Sequence, residues 1–395
     1  MERTLRKLSA ILLVTVLVAG VFPLVAGSAG RPRRVIVTFE RGEAAASRAA
    51  LQGAGASRVK DLPAASASVM MVPPGLSDKD VLKTRGVVAV EEDIVIRALA
   101  PKKPAPTPSQ TLPWGVDRVE ADLVWPQTTG DPVKVAIVDT GIDTAHPDLI
   151  GNLKGGYSAV GYTSKYTDDN GHGTHVAGTV AAVNNTVGVV GVAHKADLYA
   201  VKVLDRNGSG YLSDIVEGLD WAIANKMHVV NMSLGTSAYS ATFDAACQRT
   251  LSAGITIVAA AGNEGPYANT VGYPAKFSGV IAVSAIDSAS KVASFSSRGP
   301  EVDVAAPGVG IYSTYKGKTY ATLNGTSMAS PHVAGIAALV LTTPVGSDDL
   351  DADGAWDPAE VTQRITRTAV DLGTAGFDSE YGWGMARADL AVAAR

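Results

Sequence analysis

Three motifs rich in small residues carry side chains able to make and break covalent bonds, and they follow one another in the order carboxylate, imidazole, hydroxyl. Asp139 closes the apolar run that starts at Val133. His172 stands in Asn170-Gly-His-Gly-Thr-His-Val-Ala-Gly178, and Ser327 in Asn324-Gly-Thr-Ser-Met-Ala-Ser-Pro-His-Val-Ala-Gly335. A serine hydroxyl attacks a carbonyl only when a base takes its proton; a neutral imidazole is the usual base near neutral pH, and a carboxylate orients and stabilises it. Asn263, in Ala259-Ala-Ala-Gly-Asn-Glu-Gly265, adds an amide donor of the kind that binds an oxyanion. Taken singly, Asp139 also reads as a turn aspartate and Ser327 as a helix N-cap. Asp139-Thr-Gly141 matches one half of an aspartic-protease pair, but no second copy follows. His172 and His175 lack the spacing and intervening glutamate of a zinc helix.

A second constellation is acidic. Asp349-Leu-Asp-Ala-Asp-Gly354, followed by Glu360, fits a twelve-residue calcium loop. Asp349, Asp351 and Asp353 would supply side-chain oxygens, Ala355 a carbonyl, Asp357 a direct or water-mediated oxygen, and Glu360 the closing carboxylate. An acidic solvated loop has a similar composition. Because the helix of Ser327 leads into this loop, metal here is expected to stabilise the catalytic helix.

Such residues need a scaffold that brings them together. From about Gln110, short apolar runs at 133–138, 198–203, 229–232, 255–260 and 280–283 read as buried parallel strands. Stretches at 174–183, 213–224 and 242–253 read as helices, as does an apolar segment from Ser327 to about Leu341. The alternation predicts an α/β fold in which helices sandwich a parallel sheet, with the chemistry at the carboxyl ends of the strands. Asp139 falls at such an end. Ser327 falls at a helix start, where the dipole and free N–H groups favour an anion.

The upstream region has a different grammar. Arg3, Arg6 and Lys7 precede an apolar run from Leu8 to Val18, and small residues follow at Ala26 to Ala29, so 1–29 reads as an export signal removed near Ser28 or Ala29. Its removal would leave no stable membrane span. Residues 33–97 read as strands at 34–39, near Val59, at 68–72 and at 87–90, with helices at 44–51 and 78–84: a small ferredoxin-like α+β domain of βαββαβ order. The proline-dense stretch 100–108 is expected to be extended. With 18% charged residues and a net charge of −4 over 395 residues, nucleic acid is not an expected partner. The one cysteine, Cys247, cannot close an internal disulfide, and stability must come from packing, metal or kinetics.

Through Asp139-Thr-Gly-Ile-Asp143, His172-Gly-Thr-His-Val-Ala-Gly178 and Gly325-Thr-Ser-Met-Ala-Ser-Pro-His332, the chain resembles the subtilisin-like serine proteases over its whole length after the signal segment. The resemblance implies a secreted, monomeric, calcium-dependent endopeptidase that cuts polypeptides through an acyl-enzyme. Ser327 would be the nucleophile, His172 the base and then acid, Asp139 the orienting carboxylate, and Asn263 with the Ser327 N–H the oxyanion hole. Gly208-Ser209-Gly210 and Ser233-Leu234-Gly235 match the two segments that flank an extended substrate. Ala260, Ala261, Gly262 and Gly272 match the first side-chain pocket; none is charged and Gly272 leaves room, which implies large apolar or aromatic residues before the cut. Residues 30–99 match an inhibitory propeptide and folding chaperone, severed by self-cleavage between Leu99 and Ala100, with 100–112 a linker and 113–395 the catalytic domain. A high-affinity Ca2+ site is implied at Gln110, Asp148 and the loop of Val183, Asn185, Val187 and Val189. The acidic insertion at 349–360 departs from the family, whose corresponding connection is usually short.

Other function classes remain open at this level. A binding or scaffold protein could keep the fold without catalysis, although all four catalytic positions are intact. A peptide ligase would pass the acyl group to an amine rather than to water. The small domain could also be retained for partner binding.

Overall fold

The computed structural model describes residues 31–98, 104–105 and 109–393. The predicted export signal, the Leu99–Ala100 junction and most of the proline-rich stretch lie outside the described residues. Among those described, no helix is long and apolar enough to cross a membrane.

The first body is a four-stranded antiparallel sheet in the order Ser57–Leu62, Ala67–Val72, Arg33–Phe39, Val87–Glu92. Helices Ala44–Gly53 and Asp78–Leu82 join its strands, giving the βαββαβ order expected from the sequence. Strand Arg33–Phe39 carries the buried apolar run Val35-Ile36-Val37 because both of its faces are covered there. Val35, Val37 and Phe39 form a core with Leu51 and Val81 from the two helices. Ile36, on the opposite face with Leu62, Ala67 and Val69, joins Leu212, Ile215 and Phe243 of the second body. The small domain therefore rests its sheet on helices Leu212–Ala224 and Ala241–Ser252.

The second body holds a seven-stranded parallel sheet in the order Val304–Pro307, Ile281–Ile286, Thr256–Ala260, Val229–Met232, Lys134–Asp139, Asp197–Lys202, Leu153–Ser158. The five apolar runs read from the sequence are its five inner strands. The two that the pattern did not predict are its edges: Leu153–Ser158 carries Lys154, Gly155 and Gly156 and is only partly buried, and Val304–Pro307 is short and ends in proline. Edge strands bury less and tolerate proline, so their apolar signal is weak. Helices His172–Ala181 and Thr326–Val340 are buried at every residue, as the centre of a two-layered core requires.

A third, smaller sheet links the two bodies. Strand Val95–Ala98, which follows the small domain, lies antiparallel between Ser209–Tyr211 and Leu234–Gly235.

Candidate active site

Strand Lys134–Asp139 crosses the core and ends on Asp139, which is fully buried at the carboxyl edge of the sheet. Helix His172–Ala181 begins beside it. Gly171 enters that helix at φ +116°, a conformation that side chains rarely adopt, and a Cβ there would strike the Tyr315 ring. At Gly173 a Cβ would lie 2.2 Å from the Gly141 carbonyl and 3.1 Å from Asp139 Cβ, so the helix can approach the strand end only without a side chain. His172 Nδ1 is thereby held 2.8 Å from Oδ1 and 2.9 Å from Oδ2 of Asp139. Burial disfavours the charged imidazole, but the charge and hydrogen bond of Asp139, with the Asp168 carboxylate behind, outweigh it and raise the His172 pKa above its ordinary value.

Asp168 was not singled out from sequence, where Asp168-Asp-Asn-Gly171 reads only as a turn. Its carboxylate is buried and accepts hydrogen bonds from Thr140 Oγ1, the Asn170 and Gly171 N–H groups, and both the N–H and hydroxyl of Thr174. Thr140 in turn donates its N–H to Asp139 at 2.7 Å. Lys202, fully buried, donates to the Thr140 and Leu204 carbonyls and to Asp169 at 2.7, 2.8 and 2.7 Å. A lysine inside an apolar strand was a legible signal, since such a charge needs several buried acceptors.

Ser327 lies in the first turn of Thr326–Val340, where N–H groups have no helical acceptors. Four residues on, Pro331 has no N–H to give back, and the Ser327 carbonyl instead accepts from the Ser233 hydroxyl at 2.8 Å. The Ser327 hydroxyl donates to the Ser233 carbonyl at 3.0 Å. His172 Nε2 is buried and without a partner among the described residues. Asn263 is oriented by Thr326, whose N–H and hydroxyl both donate to its Oδ1, at 3.0 and 2.9 Å. The carbonyl side of this amide thus faces Thr326, a neighbour that the sequence reading missed. His175, by contrast, is driven by burial and by nearby His172 down to about 3, and its Nε2 meets the Ile311 and Ala321 carbonyls. It is a neutral structural donor.

The two matched edges take the strand Val95–Ala98 between them. Arg97 pairs with Ser209 and with Gly235, Ile96 with Gly210 and Ala98 with Leu234, while Gly208 accepts the Ala98 N–H. Gly235, Ala260, Ala261, Gly262 and Gly272 line one cavity of about 250 Å³, adjoining Asn263. Glu264 lines it too, so the cavity is not free of charge as the four matched positions suggested.

Gln110, Asp148 and the loop from Val183 to Val189 also converge. Ser109 and Thr111 bridge to Val187 and Val189, the Gln110 amide lies 3.5 Å from the Val183 carbonyl, and Asn185 and Val189 donate to Asp148 at 2.9 Å each. Asp148 is fully buried, has no cationic partner among the described residues and also accepts from the Tyr320 hydroxyl at 2.9 Å. A buried carboxylate beside the Val183 to Val189 loop suits a calcium ion. For that ion the Asn185 amide, which donates from Nδ2 to Asp148 and accepts the Val187 N–H on Oδ1, would have to turn its oxygen. In the acidic loop, oxygens of Asp349, Asp351 and Asp353 lie within 4.8 Å of one another, and Gly354 takes φ +76°. Glu360 is buried and turns its carboxylate to the N–H groups of Leu350 and Asp357, at 2.6 and 2.9 Å, while Asp357 caps helix Pro358–Arg367 through the Glu360 N–H. The three aspartates, with the Ala355 carbonyl, fit a hard cation; Glu360 would have to share oxygens already engaged in the cap.

Comparison with known proteins bears on the same residues. Residues 130–384 match the model of the subtilase family. The chain is 48% identical over 287 residues to the thermostable alkaline protease of Halalkalibacterium halodurans, covering 72% of this chain and 75% of that one. It is 46% identical over 318 residues to subtilisin E of Bacillus subtilis, with 80% and 77% covered, and 48% identical over 288 residues to subtilisin of Bacillus pumilus, with 72% and 100% covered.

Proposed function

Because the chain belongs to the subtilase family of serine endopeptidases, we propose that it is an exported, self-inhibited precursor that cuts itself after Leu99 and then hydrolyses polypeptides after large apolar residues. The observation that carries this reading is the strand Val95–Ala98, seated as a substrate would be between Ser209–Tyr211 and Leu234–Gly235. The next residue in the sequence is Leu99, and the cavity of about 250 Å³ that adjoins Asn263 suits a large side chain before the cut. Glu264 in that wall adds tolerance for lysine before the cut.

In the reaction, the Ser327 hydroxyl turns from the Ser233 carbonyl to His172 Nε2, which takes its proton as Oγ attacks the scissile carbonyl. Nδ1–H stays on Asp139, which stabilises the imidazolium. The oxyanion is received by the Ser327 N–H and the Asn263 amide, whose orientation Thr326 fixes. Collapse of the intermediate releases the amine, protonated by His172, and water repeats the sequence on the acyl-enzyme. All of these groups come from one chain, so a monomer suffices. Residues 30–99 act as inhibitor and chaperone by filling the groove and bracing two helices: Asp93 accepts from the Ser213 N–H, and Glu91 from the Thr242 N–H. Ca2+, when bound at Gln110, Asp148, Val183, Asn185, Val187 and Val189, and at the acidic loop, supplies countercharge and crosslinks loops; the catalytic groups supply the chemistry.

Intact mass of wild-type protein and of Ser327→Ala, each incubated with calcium, tests the reading. Wild type is expected to yield fragments meeting at Leu99 and Ala100, with the variant uncut. Two folded, uncut proteins would leave a binding protein instead, and fragments rejoined to added amines would indicate a ligase.

A further inference from the structure

Along the strand in the groove, Ile96 is fully buried, whereas Val95, one position upstream, is 50% exposed and lines a cavity of about 570 Å³. Tyr162, Asp205, Tyr211 and Asp214 contribute to the wall from the catalytic body, and Arg34 and Lys60 close it from the small domain. Those two cations show what the wall binds. Lys60 Nζ donates to Asp214 at 2.6 Å and also to Glu217. The Arg34 guanidinium lies 4.0 Å over the Tyr211 ring and donates to Ser213 at 3.1 Å, while its ion pair is with Asp93 of the small domain at 2.5 Å. Both cations belong to residues 30–99 and depart with them. Among the described residues, neither Asp214 nor Glu217 forms another ion pair, and the other cation acting on Asp214 is Arg34, which departs with Lys60. With the small domain seated, the Asp214 side chain is 9% exposed, and departure of that domain leaves the carboxylate without the cation it faced, a place that a substrate cation can take.

We propose that this cavity is a further substrate subsite, for the fifth residue before the cut, and that it takes a lysine or arginine side chain. The proposal rests on the reading that Val95–Ala98 traces the substrate path and Leu99 precedes the cut. In that register Val95, which pairs with Tyr211, is the fifth residue. Valine is too short to reach the acids and leaves the cavity to Lys60; in a polypeptide substrate the same place is open to a longer side chain. The ammonium would stand beside Asp214 and Glu217 as that of Lys60 does, and a guanidinium could stack on Tyr211 as that of Arg34 does. An unoccupied acidic wall likewise repels a glutamate, so the site discriminates by both signs.

The test uses the mature enzyme and peptides Xaa-Ile-Ser-Ala-Leu-Ala, with Xaa lysine, arginine, valine or glutamate, at low ionic strength. Serine replaces the equivalent of Arg97, so that Xaa carries the one variable charge. The lysine and arginine peptides are expected to exceed the glutamate peptide in kcat/KM by about tenfold. High salt should narrow that gap, and so should Asp214→Asn and, separately, Glu217→Gln, with circular dichroism and melting showing that each variant is folded. A flat series in wild type, with cleavage still after leucine, overturns the subsite and leaves the substrate path standing. Failure to cut the valine peptide after leucine overturns the path and the subsite together.

Discussion

Around His172 two carboxylates act at different removes. Asp139 holds Nδ1 directly, and Asp168 lies behind, engaged by five donors from Thr140, Asn170, Gly171 and Thr174. Both favour the imidazolium, whereas burial opposes it. Since the base must be neutral, a raised pKa means that activity is lost as pH falls through a value above the ordinary one for histidine. Replacing Asp168 by asparagine removes one favourable charge, so the acid limb of kcat/KM should move to lower pH, by up to about one pH unit. A limb that stays in place, with the enzyme folded, would show that Asp168 serves only to shape the turn. The burial of the Asp168 carboxylate against Thr140 and Thr174 was not legible in the sequence, because it depends on contacts made across the fold.

The nucleophile helix shows how one element is positioned by its neighbours. Pro331 removes the donor that Ser327's carbonyl would meet, and Ser233 supplies it, so the helix of the proposed nucleophile and the proposed substrate edge are joined at Ser327. At the other end of this helix, the acidic insertion is anchored by a buried pair. Arg364, fully buried on helix Pro358–Arg367, contacts Asp348, donates to the Val345 carbonyl at 2.8 Å and lies 4.8 Å from the Trp356 ring. Asp348→Ala would strand that guanidinium, and the loss of a partner from a buried pair costs about 3–5 kcal/mol. Denaturant unfolding of Ser327→Ala with and without Asp348→Ala measures it; a change under about 1 kcal/mol would mean that the remaining carbonyl contacts suffice.

Across the whole molecule, residues 95–98 lie in the groove while Ser109 and Thr111 already bridge to Val187 and Val189, and the Gln110 N–H already donates to Thr186. The segment between the groove and the Asp148 loop therefore spans both in the uncut chain. On the proposed reading, the residues taken as calcium ligands at Gln110 and Asp148 stand together before cleavage, and uncut Ser327→Ala should bind calcium. At a free concentration about a hundred times Kd, the ion is expected to stabilise it by about 2.7 kcal/mol. Calorimetric titration and melting of the uncut variant check this, and binding seen only after the chain is severed would place assembly of the site later. The small domain contributes to stability in the same uncut state, since Ile36, Val69 and Ile96 complete a core shared with the second body.

The inner strands, the two buried helices, the βαββαβ domain and the order of Asp139, His172 and Ser327 were all present in the sequence, because each is a local pattern of apolar period, glycine and turn residues. The motifs also carried the likeness to the subtilisin-like proteases. Only the tertiary structure decided the edge strands, whose burial depends on what lies beyond them, and the orientation of Asn263 by Thr326. It alone brought Glu264 into the cavity beside Gly272 and set Lys60 against Asp214. Such contacts join residues far apart in the chain and leave no periodic trace, since each depends on how separate elements meet once the core has closed.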